Sequence, residues 1–259
     1  MQSPTERLLV RVEDGVGWIV FNHPERHNAL TPDMLAALPE VARALDADPA
    51  VRVVVMRGAG ERAFVSGGDI RQLDALDALP QKADAPARAT GALPLSKPAI
   101  AMIHGWCFGG GLLYALAADL RIAADDAVFA IPVARLGVGY PYESVRALVA
   151  AVGPGAASEI LLTGARFGAE DALRMGLVQR VLPKAELEKH VRGLAAQIAA
   201  GAPFSQRAAR ASIRRIAGDP GAPDEATCRR WIAECWSSAD RAEGQQAFLE
   251  KRAPQFRGA

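Results

Sequence analysis

The chain has 259 residues, 50% of them hydrophobic, a length that holds one or two domains and buries a sizeable core. Its 30 Lys and Arg nearly balance 29 Asp and Glu, and a formal net charge of +1 excludes the electrostatic footprint of a nucleic-acid or anionic-membrane binder, though a few local arginines suffice for a small anion. Three cysteines (Cys107, Cys228 and Cys235) without metal-ligand spacing fit a reducing cytoplasm, and neither a signal-peptide pattern nor an uncharged apolar run of ~18 residues is present.

In chain order, apolar runs at residues 8–12 and 16–21 flank Asp14-Gly15, a hairpin signal. Thr31 followed by Pro32 predicts a helix start, with the helix running to about residue 45. A strand at residues 51–56 leads into the glycine turn Ser66-Gly67-Gly68-Asp69, and the apolar run 99–103 leads toward a second, Gly109-Gly110-Gly111. That turn opens a helix to about residue 118, followed by a strand near 120–123. Strands alternating with helices predict crossover units stacking parallel strands. Residues 77–92, rich in Ala, Pro and Asp, read as a surface segment. Past residues 177–182 the pattern is helical only, roughly 183–200, 204–217, 223–238 and 241–252. We therefore divide the chain into a core, 1–197, and a helical region, 198–259.

The two glycine turns carry the chemistry. Glycine admits positive φ and lets a ligand approach without a Cβ in the way, while a helix start offers unpaired N–H groups backed by the macrodipole. Such donors suit the oxygen of a carbonyl that gains negative charge during reaction. The same residues also suit plain tight turns between strand and helix, and the spacing Gly105-x-x-x-Gly109-Gly110-Gly111 does not fit a dinucleotide fingerprint.

Three segments, Phe21-Asn22-His23-Pro24-Glu25-Arg26-His27-Asn28-Ala29-Leu30, Ala63-Phe64-Val65-Ser66-Gly67-Gly68-Asp69-Ile70 and His104-Gly105-Trp106-Cys107-Phe108-Gly109-Gly110-Gly111, resemble in order the signatures of the crotonase (enoyl-CoA hydratase/isomerase) superfamily. Ala118-Asp119-Leu120-Arg121, Leu162-Thr163-Gly164 and the stretches around Met175-Gly176-Leu177 and Glu243-Gly244 are similar too, so the resemblance spans nearly the whole chain. It implies an α/β spiral of ββα units with a C-terminal helical trimerisation region, assembled as a homotrimer or dimer of trimers. It also implies an acyl-CoA substrate, no tightly bound cofactor, no metal, and a lyase or isomerase of fatty-acid type. Gly68 and Gly110 take the positions of the two thioester-binding N–H donors. Gly68, Asp69, Ile70 and Arg71 line the CoA pocket, with Asp69 holding the loop. Arg26, Arg62 and Arg71 are candidates for CoA phosphates, although exposed arginines are commonly plain surface. Residues 77–92 correspond to the region that covers the acyl pocket in relatives.

The departures matter as much. Where family hydratases carry two glutamates, this chain has Leu113 and Val133, neither of which transfers a proton. Where some relatives place a single acid after the Leu-Gly motif, here Leu136-Gly137, it has Pro141. Glu143 is then the nearest carboxylate in sequence, with Tyr140 and Tyr142 as proton donors; Leu113, Val133, Tyr140 and Tyr142 are expected to wall the acyl pocket. An acid just after proline is equally what an ordinary solvent-facing helix start displays. These features predict either a double-bond isomerase or other atypical enolate chemistry, or a non-catalytic acyl-CoA-binding or scaffolding homologue. Cys107 and His104 read as buried structural groups, Asp119 as a structural hydrogen-bonder, and His23, His27 and His190 lack ligand spacing.

Overall fold

Asp14 and Gly15 both adopt positive φ, 49° and 79°, the twist that a two-residue hairpin between β1 (Leu8–Glu13) and β2 (Val16–Phe21) requires. The computed structural model describes residues 3–69, 71 and 93–259; Ile70 and the 77–92 segment lie outside the described residues. Helix α1 (Pro32–Ala47) starts at the predicted proline, and β3 (Val53–Gly58), β4 (Ala63–Val65), β5 (Ala99–Ile103) and β6 (Trp106–Phe108) follow. Next come α2 (Gly110–Ala117), β7 (Leu120–Ala124), β8 (Val128–Ala130), the single turn α3 (Val133–Leu136) and α4 (Tyr142–Thr163). The chain ends with β9 (Phe167–Gly168), α5 (Ala169–Arg174), β10 (Arg180–Leu182) and the helices α6 (Lys184–Ala199), α7 (Pro203–Ile216), α8 (Glu225–Ser237) and α9 (Ala239–Glu250).

Two sheets result. The larger has the order β1-β2-β3-β5-β7-β10 and is parallel apart from the hairpin; the smaller, β4-β6-β8-β9, is parallel through β8. β3, β5 and β7 each pass directly into a strand of the small sheet, and a helix follows β6 and β8, which is the repeated ββα unit of the expected spiral. The period of two along the strands sorts the core. Trp18, Val53, Val55, Ile100 and Met102 face α6, whose Leu187, Val191 and Ala195 cover them. Ile19, Val54, Met56, Ala101 and Ile103 face the other way and pack with Met34, Leu38, Val41 and Leu45, one stripe of α1.

The C-terminal helices are tied to the sheet by Arg210 on α7. Its Nε donates to both oxygens of Asp119, at 2.8 and 2.7 Å, and its Nη1 to the Leu95 carbonyl at 2.7 Å. Asp119 also accepts from the Ala99 amide, the structural role predicted for it. Of helix α4 only the start, Pro141 with Glu143, was legible in the sequence pattern. It bends where Gly153 adopts φ 76° and ψ 166° ahead of Pro154, and closes on Gly164 in the left-handed region.

Candidate active site

The site is built from strand ends. β4 and β6 are parallel neighbours, pairing Ala63 with Trp106 and Val65 with Cys107, so their following turns emerge side by side at one edge of the small sheet. Gly109 has φ 48° and ψ −114°, a conformation open to glycine alone, and its amide donates to Ala130 O of β8 at 2.9 Å. A Cβ on Gly111 would fall onto the Val65 carbonyl, so only glycine lets α2 dock directly on β4.

Leu30 fixes the first turn. Its N–H donates to Gly67 O at 2.8 Å and its carbonyl accepts from Asp69 N at 2.9 Å. This parallel bridge uses the groups on either side of Gly68 and turns the Gly68 N–H away from Leu30. Gly110 is the first residue of α2, where no intrahelical acceptor exists. Among the described residues neither amide has an acceptor. A Cβ placed on Gly110 would lie 3.9 Å from Gly68 N, so the two amides lie close together.

Asn28 holds this arrangement together and was noticed in the sequence only as part of a motif. Fully buried and in the left-handed region at φ 57°, it accepts from His23 N at 2.9 Å through Oδ1. Its Nδ2 donates to the carbonyls of Ala59 and Ala63, at 2.9 and 2.8 Å. The signal available was an asparagine between strand and helix, a residue that tolerates left-handed backbone. Ser66 adds a bond from its N–H to His27 O and one from its hydroxyl to Arg26 O, which sets Arg26 beside the first turn.

The predicted residues divide. Leu113 is buried on α2, Val133 is half-buried against the core, and Arg26, Arg62 and Arg71 are exposed. Arg62 shares a cleft of about 300 Å3 with Glu25 and His27, and Asp69 Oδ1 accepts the Arg71 amide at 3.1 Å. Tyr140 packs on the core with its hydroxyl buried and without a partner among the described residues. Burial, with Cys107 nearby, pushes its phenol up, so it stays protonated and keeps an O–H to donate. Tyr142 does not join it: it is 75% exposed on the first turn of α4 and, among the described residues, lines none of the described cavities. Glu143 is half-buried on a cavity of about 510 Å3 whose wall includes Leu116, one turn along α2 from Leu113; neither glycine turn contributes to that wall. Cys107 and His104 are buried, and burial raises the thiol pKa and lowers that of the imidazole, as befits packed groups.

Residues 11–259 match the enoyl-CoA hydratase/isomerase family model. The crotonyl-CoA hydratase of Syntrophomonas wolfei is 32% identical, with 97% of this chain and 98% of that protein covered. The carnitinyl-CoA dehydratase of Escherichia coli O157:H7 is 36% identical over 93% and 94% of the two chains. An enoyl-CoA hydratase/carnithine racemase structure from Magnetospirillum magneticum superposes with a TM-score of 0.87, at 33% identity and coverage of 99% and 97%.

Proposed function

Because this chain belongs to the enoyl-CoA hydratase/isomerase family, we propose that it binds an acyl-CoA thioester with the carbonyl oxygen between the Gly68 and Gly110 amides and stabilises the enolate formed there. The observation that carries this reading is the closeness of two amides that have no acceptor among the described residues, at the ends of adjacent parallel strands. Similar chains act as hydratases and dehydratases on crotonyl-CoA and carnitinyl-CoA, so the thioester is the common element and the acyl group the variable one.

Leu113 and Val133 leave no acid at the two positions where hydratases of the family carry one. Hydration needs both a water-activating base and a proton donor to carbon, whereas moving a double bond needs one group that removes a proton beside the carbonyl and returns it two carbons on. We assign that role to Glu143, reaching along α2 from the Leu116 side, and place Tyr140 as a fixed hydrogen-bond donor. The reaction then requires no tightly bound cofactor: the electron pair rests on the thioester oxygen until the proton returns.

Exchange of the acyl α-protons with deuterium from solvent, followed by NMR, tests this reading. Exchange is expected in the wild type and is expected to fall about a hundredfold in Glu143→Gln, with CoA-ester affinity unchanged. Unchanged exchange in the variant removes Glu143 from the chemistry. Tight binding with no exchange in the wild type favours the non-catalytic homologue, the reading supported by Leu113 and Val133.

We further propose a homo-oligomer, a trimer or dimer of trimers. Helix α4 is long and apolar enough to cross a membrane, yet only 17% of its most apolar window is buried within the chain. The break at Gly153 interrupts the unbroken hydrogen-bond ladder that lipid demands, which favours a protein surface as its cover. Trp236 and Phe248, 67% and 83% exposed, leave further apolar surface uncovered on α8 and α9.

A further inference from the structure

A hydrogen-bonded series of peptide units joins the Gly68 amide to a buried histidine. Gly68 N–H shares a peptide with the Gly67 carbonyl, and that carbonyl accepts from Leu30 N–H at 2.8 Å. Leu30 N–H shares a peptide with the Ala29 carbonyl, and His23 Nδ1 lies 3.4 Å from that oxygen. A carbonyl only accepts, so this contact, the longer link of the series, places a hydrogen on Nδ1. In a trans peptide the C=O and N–H point in opposite directions. The groups therefore run head to tail, from His23 Nδ1–H through Ala29 and Leu30 to Gly67, and end at the Gly68 N–H.

The origin of the series is held firmly. His23 is 6% exposed; its N–H donates to Asn28 Oδ1 at 2.9 Å, and its carbonyl accepts from Arg26 N and Asn28 N at 2.9 and 2.8 Å. Glu25 Oε1 lies 3.2 Å from Nε2 and orients the ring from the other side. Between them the chain turns through His27 and Asn28, both left-handed at φ 53° and 57°, a conformation that persists where its surroundings over-determine it. Ala29, Leu30 and Gly67 are buried, so water does not interrupt the series. Hydrogen bonds linked in this way inside a low-dielectric interior polarise one another, each by ~10–30%.

We infer that His23 is a positioning residue that strengthens the Gly68 N–H as an oxyanion donor, acting through the Ala29–Leu30 and Gly67–Gly68 peptides. The inference rests on the reading of Gly68 and Gly110 as the thioester site. A stronger donor matters most when the carbonyl oxygen carries most charge, so His23 acts on turnover more than on binding.

Two substitutions test it. His23→Leu fills the buried space and removes the Nδ1–H, whereas His23→Asn retains an N–H donor at about the same place. His23→Leu is expected to lower kcat about three- to fivefold with KM within about twofold, and His23→Asn to stay within about twofold of the wild type in both. The carbonyl stretch of a bound acyl-CoA labelled with carbon-13 at the thioester carbon is expected to lie below its value in water. His23→Leu should return it part of the way, and His23→Asn should not. A stretch identical in wild type and His23→Leu overturns the inference and leaves the thioester site standing, as does a loss that falls equally on kcat and on affinity. A wild-type stretch at or above its value in water overturns the thioester site and this inference together. If His23→Leu does not fold, Glu25→Ala, which frees the ring from the carboxylate beside Nε2, decides: a smaller shift in the same direction supports the inference, and an unchanged stretch overturns it.

Discussion

Replacing Gly110 by proline is expected to lower turnover about 10²- to 10³-fold while leaving the fold intact. The magnitude is that of removing one oxyanion donor, ~2.7–4 kcal/mol of transition-state stabilisation. The fold survives because Gly110 is the first residue of α2, where proline costs no intrahelical hydrogen bond and its fixed φ suits the helix. The usual clash of proline with the preceding residue is eased by Gly109, which has no Cβ. Gly110→Ala is the control. It keeps the N–H but introduces a Cβ 2.9 Å from Leu30 Cδ1, a flexible methyl that can shift, so any loss caused by the Cβ appears in both variants. Steady-state kcat and thermal melting of the pair separate the donor from the bulk: turnover in the proline variant equal to that in the alanine variant would remove the Gly110 amide from the mechanism.

The second large effect concerns stability. Asn28→Ala is expected to destabilise the chain by about 3–5 kcal/mol, because it strands the His23 amide and the carbonyls of Ala59 and Ala63, each buried orphan costing ~1–3 kcal/mol with water offsetting part. Alanine also resists the left-handed backbone that asparagine tolerates at φ 57°. Asn28→Asp keeps the acceptor for His23 N and loses both donations, so it should fall between wild type and alanine. Denaturant unfolding measures the difference directly. A loss under about 1 kcal/mol for alanine would show that water replaces these bonds. Since Leu30, two residues on, clasps Gly67 and Asp69, turnover is expected to fall as well.

What the sequence revealed follows from periodicity. The Asp14-Gly15 hairpin, the strands β3, β5 and β7, and the helices α6 to α9 each carry a local pattern long enough to declare itself. The small sheet does not, because its strands are two or three residues long and hold together by neighbours distant in the chain. The length of helix α4 escaped for another reason: Gly153-Pro154 reads as a breaker although the chain continues helical beyond it. Gly68 and Gly110 were legible as a pair through motif order. Their closeness depends on β4 lying beside β6, a fact of topology. Asn28 shows the same divide: its residue type hints at a turn, but only the packed structure shows three hydrogen bonds on one buried side chain. Tyr140 and Tyr142, paired in the sequence reading, fall on opposite sides of a helix start, one packed on the core and the other exposed.

The central claim is that the Gly68 and Gly110 amides polarise a thioester carbonyl, and the carbonyl stretch of a bound acyl-CoA labelled with carbon-13 at that position reports on it directly. Two hydrogen bonds from preorganised donors should draw the stretch of the bound ligand below its frequency in water, and Gly110→Pro should return it part of the way. A bound frequency at or above the value in water, unchanged in the proline variant, would contradict the claim.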